Sequence, residues 1–151
     1  MTAYDEPPSG HFDGPLHRYA VRVYFEDTDL SGVVYHANYL RWFERARSEM
    51  LHLLGIDQRA EYDSGGGFYT VSELAIRYLA PARLGDAVTI ASRIEELGAA
   101  SCRMHQKVIK GETILADARL RIGFVGHDGR PKRQPAAWRE AFGTVIAQDG
   151  A

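Results

Sequence analysis

One stretch sets the terms for the rest of the chain. From Ala37 to Leu54, the residues Tyr39, Trp42, Phe43, Ala46, Met50, Leu53 and Leu54 recur at intervals of three and four, joined by Leu40 and Leu51. That period predicts an amphipathic helix of about five turns. Asn38 or His36 suits its start, and Gly55 supplies the left-handed residue that commonly follows a helix end. The apolar face is broad, so a curved sheet rather than a single neighbouring element is expected to cover it. Glu44 with Arg47 and Arg45 with Glu49 are spaced to pair on the wetter side, where each pair contributes only tenths of a kcal/mol.

Everything else with a pattern has period two. Tyr19, Val21, Val23 and Phe25 fall on one face, against Arg22, Tyr24 and Glu26 on the other, which predicts a half-buried strand beginning at His17. After the Ser64-Gly65-Gly66-Gly67 break, four more strands are expected. Their apolar stripes are Phe68, Leu74, Ile76, Tyr78; Val88, Ile90, Ile94; Ala100, Cys102, Met104, Val108; and Ile114, Ala116, Ala118, Leu120, Ile122, Phe124. Strands of this length joined by short turns predict an antiparallel meander. Strand, long helix, then four strands reads as an α+β two-layer domain, one helix wrapped by one curved antiparallel sheet. Such a sheet has open edges, and pairing through them makes a homodimer or homotetramer the expected state. The domain spans 17–130. Residues 1–16 read as a flexible leader, and 131–151 as a tail with one short amphipathic piece, Ala136 to Phe142, that then frays.

Charge and cysteine content narrow the function. Eighteen Lys and Arg against twenty Asp and Glu give a net charge of −2, without the basic footprint of a nucleic-acid binder. The single cysteine, Cys102, offers neither an internal disulfide nor a zinc cluster and suits a reducing compartment. The first residues are acidic and lack the apolar run of a secretory signal, and no segment approaches a membrane span. The expectation is a cytoplasmic protein, not embedded in a membrane.

The segment between the first strand and the helix carries the chemistry. Asp29 sits in the loop Glu26-Asp-Thr-Asp-Leu-Ser-Gly32, directly before a helix whose first backbone N–H groups have no intrahelical partner. Those N–H groups and the positive end of the helix dipole suit a developing oxyanion, so base and oxyanion site adjoin, as acyl transfer to water requires. The simpler reading is that Asp29 caps the helix or holds the turn. Asp27, Asp29 and Glu26 together suggest a divalent cation, but no further ligands follow at suitable spacing, so no metal is assigned and Asp27 is expected to fix the loop. Glu44 is read as structural. The Tyr39, Trp42, Phe43, Ala46 stripe is read as core that can also border an acyl pocket.

The run Glu26-Asp-Thr-Asp-Leu-Ser-Gly-Val-Val-Tyr-His-Ala-Asn-Tyr39, the following Phe43-Glu-Arg-Ala-Arg47 and the later Pro81-Ala-Arg-Leu-Gly-Asp86 resemble the hotdog-fold acyl-CoA thioesterases. Within these they resemble the 4-hydroxybenzoyl-CoA thioesterase type and its Tol-Pal-associated branch, over about His17 to Phe124. The resemblance implies a hotdog fold and hydrolysis of an acyl-CoA to free acid and coenzyme A. It makes Asp29 the catalytic carboxylate, as general base or nucleophile. It has the His36 backbone N–H polarise the thioester carbonyl and the His36 side chain assist Asp29. Gly32, Tyr35 and Tyr39 fall on the substrate side. No cofactor is implied beyond the coenzyme A of the substrate, and acyl carrier protein is a second carrier for the same thioester. Two positions depart from the pattern: Ala80 stands where Lys usually precedes Pro-Ala-Arg-Leu-Gly-Asp, and Ser31 where Gly or Ala is common. Arg103, Lys107, Arg119 and Arg121 on the later strands, with Arg130, Lys132 and Arg133 beyond, are the cations available to the coenzyme A phosphates.

Two rival readings use the same fold. A non-catalytic module binding acyl chains or acyl carrier protein would have no need of a loop carboxylate beside free N–H groups. A hotdog hydratase acting on enoyl thioesters usually spaces its aspartate and histidine differently from the seven residues between Asp29 and His36.

Overall fold

A computed structural model describes residues 4–146. In chain order the elements are β1 (His11–Asp13), β2 (Leu16–Arg22), α1 (Asn38–Leu53), α2 (Gln58–Asp63), β3 (Phe68–Tyr78), β4 (Ala87–Leu97), β5 (Ser101–Lys110), β6 (Thr113–Val125) and α3 (Ala136–Gly143). The strands form one six-stranded antiparallel sheet in the order β1-β2-β4-β5-β6-β3. Helix α1 crosses one face of it and buries Tyr39, Trp42, Phe43, Ala46 and Met50 against Val88, Ile90, Ile94, Met104, Val108 and Leu120. Each large side chain removed from water this way contributes about 1.5–3 kcal/mol. Register shifts with one extra residue in β3, in β4 and in β6 mark bulges, which bend and twist strands and let this sheet curl around the helix. The two-layer α+β architecture is the expected one.

Helix α1 ends as its sequence dictates. Gly55 adopts φ +76°, and its N–H donates to His52 O at 3.1 Å. The outer apolar positions differ from expectation: Leu40 and Leu53 are exposed, so the buried stripe is narrower than the hydrophobic one. The side-chain pairs differ too. Glu44 accepts from Ser48 Oγ at 2.9 Å, Arg47 turns inward to Gln106 Oε1 at 3.0 Å, and no Arg45–Glu49 bridge forms among the described residues.

The sheet order overturns the simple meander. Strands β4, β5 and β6 follow one another, but β3 pairs with β6 at the far edge and β2 lies beside β4. The cause is the connection over residues 79–86, which is too long for a tight hairpin and is bonded elsewhere. Val34 N–H donates to Ala82 O at 2.9 Å, Gly85 N–H to Val23 O at 3.0 Å, and Val23 N–H to Asp86 O at 2.8 Å. This segment therefore crosses the end of the sheet and braces the loop before α1.

Both presumed tails contribute structure. Residues 11–16, read as leader, supply β1 and the first residue of β2. Three residues are too few to show a period, but Gly14 at φ +58° turns the chain back and Phe12 meets the His17 ring edge-on at 5.3 Å. At the other end Gln134 is buried, donating through Nε2 to Gly98 O at 3.0 Å and accepting from the Tyr69 hydroxyl at 2.6 Å. Phe142 of α3 reaches the core. Residues 1–3 of the leader, and 147–151, where fraying was expected, lie outside the described residues.

Candidate active site

The loop that carries Asp29 is built by Asp27. Tyr24 N–H donates to Asp27 Oδ2 at 2.7 Å and Asp27 N–H to Tyr24 O at 3.0 Å, curling Phe25–Asp27 into a 3-10 turn. This capture of a backbone donor ends β2 at Arg22 although alternation continues in the sequence, and it leaves Phe25 exposed rather than on the buried face. Asp27 itself is buried. Its Oδ1 accepts from Asn38 Nδ2 at 2.9 Å and its carbonyl from Tyr35 N–H at 2.9 Å, so this one residue ties the loop to the first turn of α1.

Beyond it the chain makes a small hairpin. Asp29 N–H donates to Val33 O and Gly32 N–H to Asp29 O, both at 3.0 Å, with Gly32 at φ +81° as this turn requires. Asp29 Oδ1 accepts from Ser31 N–H at 2.8 Å and from Ser31 Oγ at 2.5 Å. Asp29 thus holds the turn but does not cap α1, whose N-cap, Ala37, has no side-chain bond. Only one carboxylate oxygen is engaged; among the described residues no donor reaches Oδ2. The Ser31 hydroxyl, then its N–H, hold the carboxyl below the ordinary aspartate range, and the charge of His36 adds to this.

Tyr35 and His36 lead into the helix, both exposed, their rings 4.6 Å apart. Asn38 N–H bonds back to Tyr35 O at 2.8 Å, while the amides of His36 and Ala37 donate to no protein group among the described residues. Two free N–H groups at the positive end of a sixteen-residue helix can receive an anionic oxygen. The His36 carbonyl accepts the Tyr78 hydroxyl at 2.8 Å. Beside these groups a groove of about 310 Å³ is bordered by Val34, His36, Tyr39, Tyr78, Leu79 and Pro81. Tyr39 is mainly core: it is buried, its hydroxyl accepts from Ala82 N–H at 3.2 Å, and burial pushes its phenol up. Gly32 shapes the Asp29 turn and does not border the groove.

A second cavity, of about 210 Å³, opens at the other end of α1 between Met50, Leu51, Ile94, Met104, Ile122 and Phe142, with Glu44 and Arg47 beside them. These residues border the more enclosed of the two spaces, and of the Tyr39 to Ala46 stripe only Tyr39 borders either. Arg47 is drawn down by burial, an effect Glu44 opposes. Several strand cations are already committed. Arg103 meets Glu96 at 3.3 Å and Glu73 at 3.9 Å, Arg119 holds both oxygens of Glu95 at 2.9 and 3.0 Å, and Arg121 donates to Ser72 Oγ at 3.1 Å. Sequence reasoning missed Tyr78 and Gln106 as polar actors. The visible signal for Gln106 was a polar residue on the apolar parity of β5; for Tyr78 there was none, since tyrosine suits a strand equally well as packing.

Residues 23–145 match the family model described as the thioesterase-like superfamily. The chain belongs to this superfamily. It is 36% identical over 107 residues to the acyl-CoA thioesterase YbgC of Haemophilus influenzae, which spans 71% of this chain and 79% of that one. It is 40% identical over 108 residues to the acyl-CoA thioester hydrolase YbgC of Escherichia coli, spanning 71% and 80%. Among solved structures, a probable thioesterase from Bartonella henselae superposes with a TM-score of 0.75 at 37% identity, covering 80% of this chain and 99% of that one. This superfamily member thus shares its sheet-and-helix architecture with that solved structure. No helix among the described residues is long and apolar enough to cross a membrane.

Proposed function

We propose that this chain hydrolyses acyl-CoA thioesters to free acid and coenzyme A at the Asp29–His36 site. The observation that carries the reading is the pairing of one free carboxylate oxygen, Asp29 Oδ2, with a helix start whose His36 and Ala37 N–H groups lack partners. The substrate carbonyl accepts from the His36 N–H, which favours the charge that develops on oxygen in the transition state. Acting as base, Asp29 takes a proton from water while the water oxygen bonds to the carbonyl carbon. The tetrahedral intermediate then expels the thiolate, which recovers the proton. Acting as nucleophile, Asp29 displaces the thiolate itself, and water cleaves the resulting anhydride. Either route uses the chain's own groups and water. The His36 side chain assists through charge, lowering the Asp29 carboxyl after the larger effect of Ser31. Tyr39 borders the groove, Tyr35 lies outside it with its ring against His36, and Gly32 serves through the turn it permits.

Several finer features belong to the same reading. They are placement in the 4-hydroxybenzoyl-CoA thioesterase type and its Tol-Pal-associated branch, acyl carrier protein as an alternative carrier, a cytoplasmic setting, and assembly through the β3 edge. Support comes from Asp29, His36 and the Pro81–Asp86 segment for the first, and from the exposed apolar edge for the last. Asp29→Asn is the direct test, because an amide oxygen still accepts the Ser31 bonds while the charge is lost. Thiol release across short, medium, long and aromatic acyl-CoAs should fall at least about a hundredfold with the melting temperature preserved. A folded variant working at the parent rate removes the proposal, and saturable acyl-CoA binding by the parent without thiol release favours the binding-module reading instead.

A further inference from the structure

Resting on the hydrolase reading above, we propose that Tyr78 is a positioning residue for the carbonyl-binding site. By donating its hydroxyl to His36 O it fixes and polarises the His36–Ala37 peptide, so that the Ala37 N–H becomes a second donor to the oxyanion beside that of His36.

The geometry begins with an open acceptor. A carbonyl at this place in a helix start would ordinarily receive the N–H four residues on, but Leu40 N–H goes to Ala37 O at 3.2 Å. His36 O instead takes the Tyr78 hydroxyl at 2.8 Å, a bond spanning 42 residues that joins β3 to the helix start. The peptide is planar and trans, so its oxygen and its N–H lie on opposite edges of one rigid unit. Whatever holds the oxygen also fixes the direction of the Ala37 N–H, which has no protein acceptor among the described residues. A hydrogen bond received by the carbonyl also draws electron density away from the N–H and makes it a stronger donor.

The tyrosine is held in place for this. Its ring meets Tyr39 edge-on at 5.4 Å and His36 edge-on at 6.2 Å, and Tyr39 is anchored in turn by Ala82 N–H. Partial burial pushes the Tyr78 phenol up, which keeps it a neutral donor. A donor fixed before the reaction costs no reorganisation when charge appears on the substrate oxygen. Tyr78 does this work from outside the bond-making: no proton leaves it and no bond forms to it.

The test compares Tyr78→Phe with the parent using one hydrolysed acyl-CoA and two inhibitors. One inhibitor is a thioether analogue of that substrate, which has no carbonyl to polarise. The other is a trifluoromethyl ketone analogue, whose hydrate or hydroxide adduct mimics the tetrahedral oxygen. Loss of an indirect donor should lower kcat about tenfold, less than removal of a direct oxyanion donor. KM and thioether affinity should stay within about twofold, while ketone affinity should fall in step with kcat. A structural role alone would weaken both inhibitors together. If the phenylalanine variant fails to fold, site-specific 3-fluorotyrosine keeps the ring and strengthens the donor, and should retain at least the parent kcat near neutral pH. Unchanged kcat in Tyr78→Phe, equal weakening of both inhibitors, or a lowered kcat with 3-fluorotyrosine overturns the inference while leaving the hydrolase reading intact. A parent that releases no thiol from any acyl-CoA overturns both.

Discussion

Asp29 divides its work between two oxygens. Oδ1 holds the turn through both Ser31 donors, and Oδ2, without a protein donor among the described residues, is the oxygen the proposed mechanism uses. The division has a consequence for pH. Ser31 keeps the Asp29 carboxyl low, so the anion that the proposed mechanism needs persists into acid and is lost only as pH falls through that lowered value. Ser31→Ala deletes the larger stabilising bond and keeps the N–H bond, so the pKa should rise toward the ordinary aspartate value of about 3.9. The acidic limb of kcat/KM, which reports the free enzyme, should therefore move to higher pH with the neutral-pH rate nearly unchanged. A limb that stays put or moves to lower pH would show that another group controls it. Asp27 illustrates the opposite economy, with every acceptor used inside the protein. Asp27→Ala strips buried Asn38 Nδ2 and Tyr24 N–H of their partner and should cost about 2–3 kcal/mol in urea unfolding. Asn38→Ala should then add little on top, because neighbours that share one bond are not additive.

At the level of elements, α1 is fastened to the sheet by an amide where apolar packing alone would be expected. Gln106 is fully buried on the helix-facing side of β5. It donates to Phe43 O at 3.0 Å and to Ser92 Oγ at 2.9 Å, and accepts from Arg47 at 3.0 Å. Gln106→Leu keeps approximate size but leaves a half-buried guanidinium and a helix carbonyl short of partners, so a loss of about 3 kcal/mol is expected from urea unfolding. A variant within about 0.5 kcal/mol of the parent would show that water replaces the amide there. Residues such as Ser92 and Gln106 explain what the sequence could and could not convey. The three-and-four spacing of α1 and the Gly55 stop were legible because a helix is written in local terms. The existence of the five longer strands, β2 to β6, was legible for the same reason, and that of three-residue β1 was not. Strand order was not, because alternation states which face is buried and leaves open which neighbour lies alongside. That choice was made by bonds from Val23 and Val34 to the 79–86 segment, and by the Asp27 carboxylate, which stopped β2 before Phe25. At the site, the proximity of Asp29 and the helix start could be read from adjacency in the chain. The hydroxyl of Tyr78, arriving from β3, could not.

The whole molecule presents an edge that an isolated copy leaves uncovered. Strand β3 runs eleven residues along the margin of the sheet, opposite its β6 partner, with Val71 46%, Leu74 39% and Tyr78 45% exposed. A long edge with unpaired backbone groups and apolar side chains favours association, and an antiparallel strand is self-complementary about a two-fold axis. Pairing centred near Leu74 would set Val71 of one copy beside the Tyr78 end of the other. Since Tyr69, Thr70 and Val71 border the deep cavity and Tyr78 borders the groove at His36, each cavity would then adjoin the other copy's Asp29 site. Sedimentation should accordingly give a mass of at least about twice the 16.9 kDa chain. Val71→Lys with Leu74→Lys places two cations on each edge, where like charges meet across the axis, and should yield a folded monomer. Thiol release by that monomer should fall most for acyl groups long enough to need the second cavity. A monomeric parent removes the assembly, whereas a lysine variant that is monomeric and fully active on long acyl-CoAs keeps the dimer but separates the cavity from catalysis.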